Sequence, residues 1–287
     1  MKAKPWLFYA LVTTIFWGVW GALSELPEKA GFPATLGYVV WAVTMIVPVI
    51  FALRIINWRP DLHRKAITHG LLIGVLGSAG QLILFQALKQ GPAFLVFPLV
   101  SLSPLITIIL SIILLREKAS SKSWAGIVLA LIAIPLLSYQ PADNGIKYGS
   151  LWIVLALLVF LFWGIQAYFM RVANTHTNAE SIFFYMTIPC IALIPIALWL
   201  TDFSKEINWG LKGPYMAAGI QLLNAVGALF LVYAFRFGKA IIVSPLSNTG
   251  APVITIILSL LIYGVVPSFV IVTGMFLAII AIFLMAE

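Results

Sequence analysis

Apolar residues in this chain arrive in runs of roughly 20, and a helix of that length rises far enough to cross a hydrocarbon core of about 30 Å. Ten such runs follow one another, near 5–24, 33–55, 67–88, 93–115, 123–139, 149–171, 179–200, 213–236, 240–263 and 267–285. In lipid every backbone N–H and C=O must find its partner inside the protein, which leaves helices and closed barrels as the spanning structures. A barrel strand is short and alternates apolar with polar residues, whereas Leu105 to Leu115 is almost continuously apolar. The expected fold class is therefore all-α integral membrane, with ten transmembrane helices. Composition agrees, because 9% of the residues are charged against about 25% in soluble domains.

The formal net charge of +8 raises the question of a nucleic-acid partner, but the basic residues are scattered between spans and form no patch interleaved with exposed aromatics. They read as topology signals instead. With a cytoplasmic N-terminus, that side collects Lys2, Lys4, Arg54, Arg59, Arg64, Lys65, Arg116, Lys118, Lys122, Arg171, Arg236 and Lys239, leaving Lys29, Lys89, Lys147, Lys205 and Lys212 outside. Twelve against five obeys the positive-inside rule and predicts a bacterial inner-membrane protein with both termini cytoplasmic. The single cysteine, Cys190, falls within the seventh span and reads as a small core residue. No small-residue cleavage site follows the first apolar run before Glu25, so no removable signal peptide is expected.

The chain also repeats itself. Gly80 to Pro98 aligns without gaps on Gly227 to Pro245, and ITIILS occurs at Ile106 to Ser111 and again at Ile254 to Ser259. Gly126, Leu129, Ala130 and Ala133 match Gly274, Leu277, Ala278 and Ala281, and Phe16-Trp17-Gly18 answers Phe162-Trp163-Gly164. The expected organisation is a first repeat over 1–139, a linker loop over 140–148 and a second repeat over 149–287. Five spans per repeat is an odd number, so the second half enters the membrane from the opposite side. Inverted repeats give two mirror-related arrangements of similar energy, which is the basis of alternating access around a site between the halves.

Pro98-Leu99-Val100-Ser101-Leu102-Ser103-Pro104, the ITIILS run, Arg116-Glu117-Lys118 and Trp124-Ala125-Gly126-Ile127 resemble the C-terminal part of the EamA repeat of the drug/metabolite transporter superfamily. The resemblance spans nearly the whole chain as two EamA-like repeats. It departs in the second copy, where Gly264-Val265-Val266 replaces the Arg-Glu-Lys element. It implies ten helices, both termini inside and transport of small metabolites. The stretch Trp17 to Gly37 is loosely similar to sugar-uptake members of the superfamily.

A charge at the bilayer centre costs at least about 2.5 to 3.5 kcal/mol and normally marks an ion path. None is expected here, since every carboxylate falls at a span end or in a loop. Glu25 alone would reach the outer mouth of a pathway if the first helix ran one turn further; otherwise it is an interfacial charge near Lys29. Neutral candidates fill the interior. Trp17, Trp20 and Ser24 share one face of the first helix, and Trp163, Gln166 and Met170 repeat that spacing on the sixth. Gln81, Gln221 and Asn224 form an amide stripe on the third and eighth helices, either as interhelical glue or as substrate contacts. Tyr38 and Trp41 share a face of the second helix, and Tyr185 is the repeat counterpart of Tyr38. Ser101 and Ser103 lie between Pro98 and Pro104, and Asn248 lies between Pro245 and Pro252, so broken helices around a binding site are expected in the fourth and ninth spans.

His63, His69 and His176 stand at span ends without the spacing of a metal site, and no phosphate-cradling glycine loop exists, so no metal, no cofactor, no ATP and no catalytic constellation is expected. The leading reading is a secondary transporter, monomeric or homodimeric, whose partners are the lipid bilayer and a small neutral or zwitterionic substrate such as a sugar, amino acid or nucleobase. Without a central carboxylate, facilitated diffusion or exchange fits at least as well as proton coupling. An exporter of hydrophobic or cationic drugs is the alternative, followed by a flippase for a lipid-linked substrate.

Overall fold

The computed structural model describes residues 4–91, 93–139, 150–264 and 266–286, and among them the regular structure is helical, with no strand. Fourteen helices build ten spans. The first span is α1 (Pro5–Leu23) with the short α2 (Glu25–Lys29), and the second is α3 (Ala34–Thr44) with α4 (Ile46–Ile55). The third is α5 (Arg64–Gln90), the fourth α6 (Ala93–Ser101) with α7 (Pro104–Ile113), and the fifth α8 (Ser121–Leu137). The second half repeats the plan with α9 (Leu151–Ala173), α10 (Ala179–Ala192) with α11 (Ile194–Trp199), α12 (Met216–Phe237), α13 (Ala240–Tyr263) and α14 (Phe269–Ala286). A wide irregular turn, Leu211–Tyr215, containing Pro214 leads into α12. Side-chain caps fix several starts: Ser120 Oγ accepts from Ser123 N at 3.1 Å and Asn178 Oδ1 from Ser181 N at 2.7 Å, a type of contact worth about 1 kcal/mol.

Proline decides where spans break, though not wherever it occurs. Pro48 and Pro195 sit at matching repeat positions, and the second and seventh spans are interrupted just ahead of them, at Met45 and Leu193. Neither proline can donate to the carbonyl four residues back, so the ladder opens there. The fourth span breaks at Leu102–Ser103, before Pro104, as the sequence leads one to expect. The ninth does not. α13 runs continuously through Pro245 and Pro252, packed against α1, α7, α8 and α14, and that packing holds the helix across both lost donors.

The two halves are related by a pseudo-twofold axis that is visible bond by bond. α1 packs on α12 and α13, and α9 packs on α5, α6 and α7 in the same manner. Trp17 Nε1 donates to Asn224 O at 3.3 Å, and its counterpart Trp163 Nε1 donates to Gly77 O at 3.3 Å. Thr255 Oγ1 donates to Gly18 O at 2.9 Å, mirrored by Thr107 Oγ1 to Gly164 O at 2.9 Å. Those glycines are required by close approach: a Cβ on Gly18 would lie 2.5 Å from Ile254 Cβ, and one on Gly164 would lie 2.5 Å from Ile106 Cβ. Small residues thus let the helices meet backbone to backbone, as membrane interfaces demand. Outside, Phe269, Phe276 and Phe283 of α14 are exposed and form part of an apolar surface suited to lipid.

Candidate transport cavity

Lys4 Nζ donates to Ala286 O at 2.8 Å, so both ends of the chain lie at one end of the bundle. A cavity of about 420 Å³ opens at the opposite end, lined by α1, α2, α3, α5, α6 and α12. That volume lies within the roughly 300–1,000 Å³ usual for small-molecule sites. Glu25, Glu28 and Lys89 are the charged residues of the wall and stand at its rim, because they fall at the helix ends. Trp20, Tyr38, Trp41, Gln81, Gln221 and Asn224 line it further in. At about 1.5 Å per residue, Trp20 stands roughly 7 Å and Gln81 roughly 12 Å deeper than Glu25 and Lys89 on the same helices.

Several polar wall groups are oriented by neighbours. Trp20 Nε1 donates to Gln221 Oε1 at 3.1 Å, fixing that amide with its nitrogen toward Gly37 of α3. Trp17 holds the backbone of Asn224 from behind, so the amide side chain of Asn224 is presented to the cavity. Tyr38 is almost wholly buried, donates from its hydroxyl to Cys190 O at 2.9 Å and meets the Trp41 ring edge-on at 5.4 Å. Trp41 Nε1 is buried yet finds no acceptor among the described residues. A buried N–H without a partner costs about 1 to 3 kcal/mol.

Of the residues singled out in sequence, the cavity brings together Trp20, Ser24, Glu25, Tyr38, Trp41, Gln81, Gln221 and Asn224. Trp17 and Trp163 are packed against Gly227 and Gly80 respectively. Gln166 donates to Ile73 O at 3.2 Å in the closed half of the bundle. Tyr185 donates to Asp61 O at 3.0 Å near the chain termini. Ser101 accepts from Ser138 Oγ at 3.2 Å, Ser103 is buried at the start of α7, and Asn248 Nδ2 donates to Ser244 O at 2.9 Å. None of these seven belongs to the cavity wall. Phe32, Phe85 and Phe97 belong to it and went unremarked in sequence, since isolated aromatics in an apolar run carry no periodic signal, and Lys89, read there as an outside topology charge, lines its rim.

The end that carries the termini is closed by a buried ionic cluster that sequence reasoning took for topology signals. Arg116 adopts a left-handed turn, φ 54°, which tucks Glu117 into the bundle. There the Glu117 carboxylate accepts from Arg171 Nε at 3.0 Å and from Ile241 N, in the first turn of α13, at 3.2 Å. It thereby neutralises both an arginine and a helix N-terminus. Arg171 Nη1 also donates to Phe235 O at 2.9 Å and Arg236 O at 3.2 Å. Beside it, Glu180 accepts from Tyr233 Oη at 2.6 Å and pairs with Arg236 at 3.7 Å.

A helical bundle of ten spans in two inverted halves, with a cavity open at one end and ion pairs at the other, defines a multi-pass membrane protein. The model of the EamA-like transporter family matches residues 4–139 and again 150–286, so the chain belongs to that family and carries two copies of its repeat. Uncharacterized transporter YojE of Bacillus subtilis is 24% identical over 91% of this chain and 87% of its own length. Protein LicB of Haemophilus influenzae is 22% identical over 88% of this chain and 93% of LicB. A shorter protein, the probable 4-amino-4-deoxy-L-arabinose-phosphoundecaprenol flippase subunit ArnE of Photorhabdus laumondii, is 29% identical over 28% of this chain and 74% of ArnE. A solved crystal structure superposes with a TM-score of 0.78 over 97% of this chain and 98% of its own, at 16% identity, which shows the shared fold.

Proposed function

We propose that this chain is a secondary carrier that moves a small neutral or zwitterionic polar metabolite, a sugar, amino acid or nucleobase, across the bacterial inner membrane by alternating access. The observation that carries this reading is the distribution of polarity in the cavity. Amides and aromatic side chains line its inner part, while its charged residues stand at the rim. Such walls stack on a flat or ring-shaped solute and hydrogen-bond its polar edge, and they offer no buried counter-charge to a cation. The excess of basic residues on the termini side puts that side in the cytoplasm, so the cavity faces outward. The carrier works without a cofactor, as a monomer or homodimer.

The test is a thermal-unfolding screen of the purified protein with D-ribose, L-threonine, uracil and tetraethylammonium. A ligand that binds the folded state stabilises it by about 2.7 kcal/mol at 100 times its Kd. One polar class is expected to raise the midpoint, and Trp20→Ala is expected to abolish the rise. A response to tetraethylammonium alone would replace this reading with cation export.

A further inference from the structure

The inverted repeat permits a statement about the state this structure does not adopt. Under the repeat register, Glu25 is the counterpart of Arg171 and Lys89 is the counterpart of Arg236. At the closed end these two positions are in contact: Arg171 Nη1 reaches the carbonyls of Phe235 and Arg236 at 2.9 and 3.2 Å, sealing α9 against the end of α12. At the open end their counterparts stand on facing walls of the mouth. There Glu25 pairs with its own helix neighbour, Lys29, at 2.7 Å in solvent, and Lys89 Nζ lies 3.5 Å from Leu200 O. An inverted-repeat carrier exchanges its states by giving each half the conformation of the other. The packing of α9 on α12 is then transferred to α1 on α5.

From this we infer that Glu25 and Lys89 form the external gate: when the termini side opens, α1 closes on α5 and the Glu25 carboxylate pairs with the Lys89 ammonium. The inference rests on the carrier reading above. The chemistry at the two ends differs in an informative way. Arg171 is neutralised by Glu117, whereas the counterpart of Glu117 by register is Val265. Glu25, a carboxylate, cannot bond the carbonyls of Leu88 and Lys89 as arginine does at the other end. It needs a cation arriving from α5, and Lys89 is the residue at that position. Glu25–Lys29 is a solvated i,i+4 pair and holds Glu25 weakly, so exchanging Lys29 for Lys89 costs little. The outer gate is a single exposed pair, and the inner seal is a cluster in which the buried carboxylates of Glu117 and Glu180 meet the half-buried Arg171, the more exposed Arg236 and the Tyr233 hydroxyl. That difference accounts for a structure closed at the termini end and open at the Glu25 end.

The test uses the full chain reconstituted in liposomes, with Glu25→Cys and Lys89→Cys introduced together and cross-linked by copper phenanthroline. Native Cys190 is buried and does not compete. A slow disulfide is expected in this background. Its rate should rise by about tenfold when Glu180→Gln or the milder Tyr233→Phe weakens the inner seal, because either change shifts the population toward the other state. A second measurement uses charge alone. In the Glu180→Gln background, where the weakened seal closes the mouth and slows labelling of a cysteine introduced at Leu84, Glu25→Lys and Lys89→Glu should each restore fast labelling, and the two together should recover the slow rate. Equal cross-linking with and without the seal variants in protein that elutes as folded monodisperse particles, or no recovery in the double charge swap, would overturn the inference. Neither readout requires a substrate, so failure of the gate and failure of the transport reading are told apart.

Discussion

Replacing Gly18 and Gly164 by alanine, one at a time, tests whether the two halves are built alike. Each added Cβ would sit 2.5 Å from an isoleucine Cβ on the partner helix, against an ordinary carbon contact of about 3.5–4.0 Å. The helices must separate by roughly 1 Å, and overpacking of this kind costs about 1–3 kcal/mol. The Thr255 to Gly18 and Thr107 to Gly164 bonds, both 2.9 Å, stretch with that movement, adding about 0.5–1.5 kcal/mol. Alanine returns about 1 kcal/mol through helix propensity, which leaves a net loss of roughly 0.5–3.5 kcal/mol at each site. Gly219 of α12 is the control, because a Cβ there meets nothing within 4 Å. The assay is thermal unfolding in detergent followed with a thiol-reactive coumarin maleimide, for which Cys190, 1% exposed, is the buried reporter. Gly18→Ala and Gly164→Ala should lower the midpoint by similar amounts, and Gly219→Ala should leave it unchanged or raise it. A Gly164→Ala protein as stable as Gly219→Ala would refute the equivalence of the two crossings.

Further expectations concern sidedness, the cavity and the closed end. Cysteines introduced at Lys65, Lys122 and Lys239 should react with an impermeant maleimide from the cytoplasm, and those at Lys147, which lies outside the described residues, and Lys205 from the exterior; Lys147 and Lys239 reacting from one side would contradict the inverted arrangement. Trp20→Ala or Gln81→Ala should reduce uptake of the responding solute by about tenfold or more, the cost of a lost stacking or hydrogen-bonding contact, with the unfolding midpoint retained; equal loss of folded protein would make them packing residues. Asp61 is held below its usual carboxylate range by the His63 backbone N–H and then by the Thr177 hydroxyl. Its lowered folded value means that the stabilisation is present above the unfolded value of 3.8 and is lost as pH falls through the depressed one. The midpoint should therefore drop on acidification below about pH 4, less so in Asp61→Asn, and an identical acid profile for the two proteins would remove Asp61 from the account.

The fold was legible because its determinants are local and repeated. Run length demanded spanning helices, and the pairs Trp17 with Trp163 and Gly18 with Gly164 marked the symmetry that the structure displays in matching bonds. The cavity was harder to read, because the structure opens one end of the bundle only. Two equivalent faces exist in sequence, but one conformation opens only one of them, so Trp20 lines a cavity while its counterpart Gln166 bonds to Ile73 O in the closed half. The proline pattern misled in the ninth span, because the packing around α13 outweighs two missing donors. Pro48 and Pro195, which do interrupt their spans, carried no polar residues between paired prolines to draw notice. The inner seal was invisible as such, since Glu117, Arg171 and Arg236 stand at span ends like topology charges until the chain brings Arg171 within 3.0 Å of Glu117 and Arg236 within 3.7 Å of Glu180.

The most direct test of the carrier account is counterflow in proteoliposomes. Vesicles are loaded with unlabelled D-ribose, L-threonine or uracil and diluted into a trace of the same labelled compound, with no ion gradient imposed. With no charged side chain in the inner wall of the cavity among the described residues, one compound should accumulate transiently and survive a protonophore, be slowed but retained in Glu25→Gln, and be lost in Trp20→Ala and Gln221→Ala. Counterflow of none of the three, or uptake strictly dependent on an imposed pH gradient and abolished by Glu25→Gln, would contradict it.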